Sequence, residues 1–359
     1  MRYRYLSFLL AAALACVLIL SGSDPSAKAI SADDARNLAI VNSPVNTFNL
    51  EQTRSTAHVN TRIDFMALLP SDFVCDASTV IAELSVAKFF PQSQMWSSDE
   101  RIDVEVLNFS NEVGLHGSYA FSDRGIYRIQ MHASAFTDIT KSIVLKDLQS
   151  SECTVQIVGN KPIAFTFDDG PHEYCTSQVL DSFDQVGGRA TFFITGYRLE
   201  RAEGAALLRR MTESDHQIGN HRYTHKVHSP QMSDEEFRAE IIKTNEAIAA
   251  ITGTAPVDFR FPWGDADSAK RKIVSDLDMR MWGWDSNIAD GGDYSPLSED
   301  GINLYLDRIM KQVRPYSVML FHDAENTHNS AAAIGIALED LTAQGYDFVT
   351  LDGLEELKW

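Results

Sequence analysis

The stretch Ile163-Ala164-Phe165-Thr166-Phe167-Asp168-Asp169-Gly170-Pro171 decides the architecture. A short apolar run ends abruptly in two adjacent carboxylates and a Gly-Pro pair. Apolar runs of this length, bounded by turn residues, read as buried strands. Similar runs recur at Ala190 to Ile194, Val318 to Phe321 and Phe348 to Leu351, with helical stretches between them. One such stretch, Ser233 to Ile251, opens with Ser233 and Glu236 in capping-box spacing. It sets Phe237, Ile241, Thr244 and Ile248 on one face and is followed by Gly253. Strand–helix alternation of this kind implies a parallel sheet or barrel.

Outward from there the grain changes. From Val41 to Leu148 the pattern is that of strands with period two: Thr79 to Ala87, Arg101 to Leu107, Gly125 to Met131 and Ser142 to Leu145. Turn residues fall between them, as in Ser122-Asp123-Arg124-Gly125. Short strands at this spacing suggest a β-rich, sandwich-like antiparallel unit. No catalytic constellation occurs in it. Trp96 and Tyr119 could serve a carbohydrate-binding surface, but scattered aromatics in such units are usually core. Gln149 to Asn160 reads as the join, so the expected units are 1–29, 30–150 and 151–359.

Residues 1–29 have the order of a secretory signal. Arg2 and Arg4 precede an apolar run from Phe8 to Leu20, and Ala27-Lys28-Ala29 offers a small-residue cleavage site. The alternative is an uncleaved membrane anchor. Either way the remainder would be secreted, periplasmic or held at the cell envelope. Cys75, Cys153 and Cys175 follow this segment. A Cys75–Cys153 bridge with Cys175 free, or three thiols, are both compatible with an oxidising compartment.

The chain has 359 residues, with 31 Lys and Arg against 50 Asp and Glu, for a net charge of −19. That balance argues against coating nucleic acid, which needs basic patches to displace counterions. It argues equally against adhesion to anionic lipid. A hydrophobic fraction of 44% supports a globular chain rather than a disordered one.

Four segments carry chemistry. Asp168 and Asp169 end a strand, and adjacent strand residues point to opposite sides, so the two acids can take different roles. In barrels such C-terminal strand ends build active sites. Asp169-Gly170-Pro171 is also good turn chemistry, which accounts for one acid and not for both. His221 and His225 are four apart; on a helical turn both imidazoles would share a face and could grip one metal. Arg260, in Phe259-Arg260-Phe261-Pro262-Trp263-Gly264, suits a buried ion pair with a carboxylate. His322 ends the strand Val318 to Phe321 and suits a general acid.

In order and spacing these segments resemble the polysaccharide deacetylase family, carbohydrate esterase family 4, also called the NodB homology domain. Thr166 to Pro171 resembles its first motif, Ile218-Gly219-Asn220-His221 through His225 its second, Arg260 to Gly264 its third, and Leu320-Phe321-His322 its fifth. The likeness runs from about Lys161 to Leu354. It implies a distorted (β/α) barrel and a divalent metal, zinc foremost with cobalt or nickel as substitutes. The implied ligands are Asp169, His221 and His225. Asp168 would be the base, Arg260 its ion-pair partner, and His322 the acid that protonates the leaving amine. The backbone N–H of Trp263 would stabilise the oxyanion, and Leu320 would line the pocket for the acetyl methyl.

The implied reaction removes N-acetyl groups from N-acetylglucosamine-containing polysaccharide such as chitin oligomers, peptidoglycan or poly-N-acetylglucosamine. Alternatives on the same fold are an O-acetyl esterase acting on a glycan such as xylan, and a non-catalytic glycan-binding protein. The fourth motif departs from the family pattern. Trp282-Gly283-Trp284-Asp285-Ser286-Asn287-Ile288-Ala289-Asp290-Gly291 sets its two acids further apart. Asp285 is taken as the residue that tunes His322, with Asp290 in reserve, and Trp282 or Trp284 as the pocket wall. The stretch Ile288 to Asp300 is an insertion that could reshape the cleft.

Overall fold

A computed structural model describes residues 47–48, 50–52, 54–69, 79–109, 112–136, 144–292 and 295–357. The expected leader, residues 1–29, lies outside them, as does Cys75. Cys153 and Cys175 carry free thiols.

The first part is strand-rich, as expected. Its strands are β1 (Thr47–Phe48), β2 (Glu51–Gln52), β3 (Thr56–His58), β4 (Arg62–Leu68), β5 (Thr79–Phe90), β6 (Met95–Trp96), β7 (Glu100–Phe109), β8 (Glu112–Ala120), β9 (Gly125–Phe136), β10 (Val144–Ser150) and β11 (Cys153–Val158). They form one connected sheet of order β1-β10-β9-β5-β7-β8-β4-β2, with β11 joining β9 to β3 and β6 on β5. Strand β7 changes partner midway: Glu100 to Val104 pair with β5, and Glu105 to Phe109 pair with β8. Residues along this path share one core that includes Phe65, Leu84, Leu115, Ile129 and Val155. In β4 buried positions alternate with exposed or half-buried ones, the signature of a sheet with one covered face.

The segment expected as a join is largely β11, which pairs with both β3 and β9. A short turn at Gly159 to Lys161 leads straight into the second sheet. Its strands are β12 (Pro162–Asp168), β13 (Thr191–Ile194), β14 (Gln217–Asn220), β15 (Asp258–Phe259), β16 (Arg280–Met281), β17 (Ser286–Asn287), β18 (Val318–His322) and β19 (Asp347–Phe348). All pair in parallel, in the order β16-β15-β14-β13-β12-β18-β17, with β19 beside β12. Phe348 is in β19, but the strand stops there. Thr350 caps the helix that begins at Leu351, its hydroxyl accepting from the Gly353 N–H.

The order forces curvature. Strands β16 and β17 sit at opposite ends of the path yet are joined by four residues, Trp282 to Asp285. Such a link reaches at most about 18 Å, whereas seven strands laid flat would span about 29 Å. The sheet curls into a half-barrel, and helices pack outside it: α1 (Cys175–Val186), α2 (Ala202–Glu213), α3 (Asp234–Thr252), α4 (Ser268–Ser275), α5 (Glu299–Gln312), α6 (His328–Ala343) and α7 (Leu351–Glu356). Helix α3 carries the full capping box of Ser233 and Glu236, buries Phe237, Ile241, Thr244 and Ile248, and stops at Gly253 in the left-handed region. All seven residues of β12 are buried, as a strand covered on both faces requires.

Candidate active site

The parallel strands run in one direction, so their C-terminal ends open on one side. Asp168, Asn220 and His322 are the last residues of β12, β14 and β18. Asp168 and His322 are register partners on neighbouring strands. A cleft of about 600 Å³ at this end is lined by Asp168, Asp169, His221, His225, Trp263, Leu320 and His322. Arg260 lies beneath it, fully buried. The four separate sequence segments converge there.

Asp168 is buried, and burial pushes its carboxyl up from the ordinary range against the opposing pull of Arg260 and His322. Arg260 Nη1 donates to Asp168 Oδ1 at 2.9 Å and to Thr166 Oγ1 at 2.7 Å. Its Nη2 donates to the Gly283 carbonyl at 2.8 Å. The guanidinium also lies 4.2 Å over the Phe193 ring. Fixed by three acceptors, it holds one carboxylate oxygen and leaves the other toward the cleft.

Asp169 follows with φ 73, in the left-handed region, and both carboxylates face His221 Nε2, Asp168 Oδ2 at 3.7 Å and Asp169 Oδ1 at 3.5 Å. His221 and His225 are in a loop after β14 and not on a helical turn; Arg222, at φ 65, bends the chain between them. His221 Nδ1 lies 2.9 Å from the Arg260 carbonyl. A carbonyl only accepts, so Nδ1 carries the proton and the Nε2 lone pair faces the acids. Burial holds the His221 pKa down to about 3, with Asp169 opposing, so the ring is neutral. Its Nε2 is 3.5 Å from Asp169 Oδ1, and His225 Nε2 is 3.4 Å from the same oxygen.

That oxygen is buried with no hydrogen-bond partner. Orphaned carboxylate oxygen and neutral imidazole nitrogen facing each other are the donor set of a cation. Asp169, His221 and His225 together could hold a divalent metal. Two imidazoles and one carboxylate leave coordination positions open, as a catalytic site needs.

The partner of His322 is Asp290 and not Asp285. His322 Nδ1 lies 2.8 Å from Asp290 Oδ1, and the His322 backbone N–H donates to Oδ2 at 3.1 Å. Burial alone would lower the His322 pKa, but the hydrogen bond and charge of Asp290 outweigh it and raise it to about 9. Register explains the correction. Ser286 pairs with Met319 and Asn287 with Leu320, so Asp285 sits beside Val318 and accepts from its N–H at 2.8 Å. That is four residues, about 13 Å, from His322 at the far end of the strand. Asp290 lies past the end of β17, on the side where the cleft opens. Gly291 is needed next, because a Cβ there would come within 2.9 Å of the His322 ring.

Of the two tryptophans weighed as a wall, Trp284 lines the cleft, whereas Trp282 Nε1 donates to Asp258 at 2.7 Å. Trp263 stands at the rim with its ring stacked on His228 at 4.1 Å and 3.9 Å from His225. Ala289, Gly291 and Gly292 of the insertion line the cleft as well.

A family model described as polysaccharide deacetylase matches residues 156–282. The chain is 34% identical over 198 residues to the peptidoglycan-N-acetylmuramic acid deacetylase PdaC of Bacillus subtilis, covering 55% of this chain and 39% of that protein. It is 30% identical over 201 residues to a peptidoglycan-N-acetylglucosamine deacetylase of Bacillus cereus, covering 55% of this chain and 90% of that protein. The chain belongs to the polysaccharide deacetylase family. A solved structure of B. subtilis PdaC superimposes with a TM-score of 0.50 at 33% identity, covering 55% of this chain and 92% of that one. The chain spans about two fifths of the length of PdaC and 44% of the length of the Listeria monocytogenes relative PgdA.

Within this site, sequence reasoning missed two supports. Arg222 is wholly buried, and its Nη2 donates to the carbonyls of Thr224 at 3.0 Å and Val227 at 2.8 Å. Glu240 of α3 lies 3.6 Å from its Nε. One guanidinium thus shapes the loop that carries both His225 and His228. Asp323 is the other. Its carboxyl, pushed up to about 7 by burial, takes a hydrogen bond from Thr176 and rests on Gly170, where a Cβ would meet it at 2.2 Å. An Arg between two histidines carried no distinctive sequence signal. The acid after His322 was visible but had no identifiable partner.

Proposed function

We propose that this chain is a metal-dependent hydrolase that removes N-acetyl groups from N-acetylglucosamine-containing polysaccharide, with peptidoglycan as its substrate. The single observation that carries this reading is one cleft holding an Arg-clamped carboxylate, a carboxylate–imidazole–imidazole trio and a carboxylate-bound histidine. The relatives named for peptidoglycan deacetylation support the choice of polymer.

Asp169, His221 and His225 would hold a divalent metal, zinc or in its stead cobalt or nickel, which would supply Lewis acidity toward the acetyl carbonyl and water. Asp168, with Oδ1 held by Arg260, accepts the proton of the attacking water as its oxygen bonds to the acetamide carbon. The Trp263 backbone N–H donates to the developing oxyanion. His322 begins the cycle protonated, because Asp290 keeps its pKa near 9. It gives that proton to the nitrogen as the C–N bond breaks, so acetate and a free amine leave. Leu320 and Trp284 enclose the methyl group.

In this reading residues 151–359 form the catalytic unit, 30–150 an accessory unit, and 1–29 a leader that delivers the chain to the cell envelope. Among the described residues no helix is long and apolar enough to cross a membrane.

The test is acetate release by the metal-loaded chain from peptidoglycan, chitin oligomers, poly-N-acetylglucosamine and acetylated xylan. Release from the first three and not from xylan is expected. Release from xylan alone would make it an O-acetyl esterase, and glycan binding without any release would make it a binding protein.

A further inference from the structure

Charge pairing within the cleft leaves one cation with only a distant, water-facing carboxylate as its partner. Asp168 is paired with Arg260, Asp290 with His322, and Asp169 faces the two metal-ligating imidazoles. Among the described residues that line the cleft, Arg198 is the one guanidinium or ammonium group. It comes from the turn after β13. Its Nε donates to the backbone carbonyl of Asp169 at 3.0 Å, which fixes the plane of the guanidinium beside the metal ligand. The guanidinium carbon is 5.2 Å from the Tyr197 ring, which supports it from one side.

The acidic partner of Arg198 is weak. Nη1 lies 3.4 Å from Glu325 Oε2, and the Arg198 side chain is 12% exposed against 68% for Glu325. A water-facing carboxylate held at that distance contributes little and exchanges readily. A nearly desolvated guanidinium, by contrast, gains from a planar carboxylate that meets its outer edge with two parallel hydrogen bonds. Glu325 holds the place where such a group would dock.

We propose that Arg198 reads a carboxylate carried by the substrate, with Glu325 as a displaceable stand-in. The chain would then favour N-acetylated glycan whose sugars bear carboxylate substituents, as lactyl ethers do, over neutral chitin-like polymers. This rests on the deacetylase reading above and narrows its substrate class. A chain of net charge −19 should otherwise disfavour a polyanion, so a dedicated cation in the cleft has a task.

The test uses the full metal-loaded chain with two probes: chitopentaose, and peptidoglycan glycan strands stripped of stem peptides so that the lactyl carboxylates are free. The quantity read is the ratio of kcat/KM for the strands over chitopentaose. Arg198→Gln should lower that ratio at least tenfold, chiefly through KM, and Glu325→Gln should raise it severalfold. An unchanged ratio in both variants overturns the proposal, and an equal loss on both probes in R198Q reduces Arg198 to a support of the Asp169 turn. Calorimetric binding of both probes to the metal-free chain gives a second readout. Preferential binding of the strands should vanish in R198Q, and equal binding by the unmodified chain would refute the idea. Absence of acetate from both probes would instead sink the deacetylase reading itself.

Discussion

The two sheets bury their strands in different ways. In β4 every second residue faces solvent, whereas in β12 no residue does. The first, mainly antiparallel sheet gains its core from one face and places few polar groups inside it. The parallel sheet is covered on both faces along its length, so its polar side chains collect at the strand ends. Asp168 and His322 are there because they are the last residues of largely apolar strands, and the curled sheet brings those ends together. Stability and chemistry are thereby assigned to different residues, and substitutions should separate them.

The largest effect should come from a matched pair of variants. Asp168→Asn removes the base while keeping shape, and acetate release should fall about 10²–10⁴-fold with little change in Tm and with metal retained. Leu84→Ala, in the core of the first sheet, should cost about 2–5 kcal/mol of stability while kcat per folded molecule is unchanged. Chemical denaturation and initial rates on the same preparations check both. Retained turnover in D168N would remove the base assignment, and a large kcat loss in L84A would break the division between the sheets.

Metal affinity sharpens the comparison further. Arg222 touches no reacting atom but brackets His225 through two carbonyls, and outer supports of this kind are typically worth about 10–100-fold in metal affinity. Arg222→Met should raise the metal Kd by that much in a chelator competition, with Arg222→Lys intermediate. A lowered Tm with unchanged Kd would make the residue a fold support only.

Asp290 controls a proton and little else. In Asp290→Asn the group that raises His322 is gone while burial, which lowers it, remains. The His322 titration, followed by NMR in the metal-free chain, should move from about 9 toward lower pH. The sign for stability follows. A raised folded pKa contributes stability fully present below the unfolded value of about 6.5, and that contribution is lost as pH rises through the folded one. The alkaline limb of activity, where His322 loses its proton, should shift the same way in D290N.

Much of this could be read from residues alone because the signals were local. The capping box at Ser233, the strand ending in Asp168-Asp169, and the identities of His221, His225 and Arg260 depend on short stretches whose chemistry is visible in one window. What failed depended on register or on turns. The spacing of His221 and His225 fits a helix, but the left-handed bend at Arg222 makes the same convergence in a loop. The strand expected to reach Leu351 stops at Phe348 because Thr350 caps a helix. The choice between Asp285 and Asp290 needs the pairing of β17 with β18, which no spacing rule supplies.

That last choice gives the smallest expected effect and a sharp test of register. Asp285 accepts from the Val318 N–H at the start of β18, and an asparagine keeps an acceptor oxygen in the same place. Asp285→Asn should therefore cost at most about 0.5–1.5 kcal/mol, the net worth of a single hydrogen bond, and leave the His322 titration where it is. Asp290→Asn should likewise change Tm only modestly but, unlike D285N, should clearly move the titration. The two acids are five residues apart in sequence but at opposite ends of a strand. If D285N moved the His322 titration as far as D290N does, the pairing of Ser286 with Met319 could not hold, and the geometry of the acid side of the cleft would fall with it.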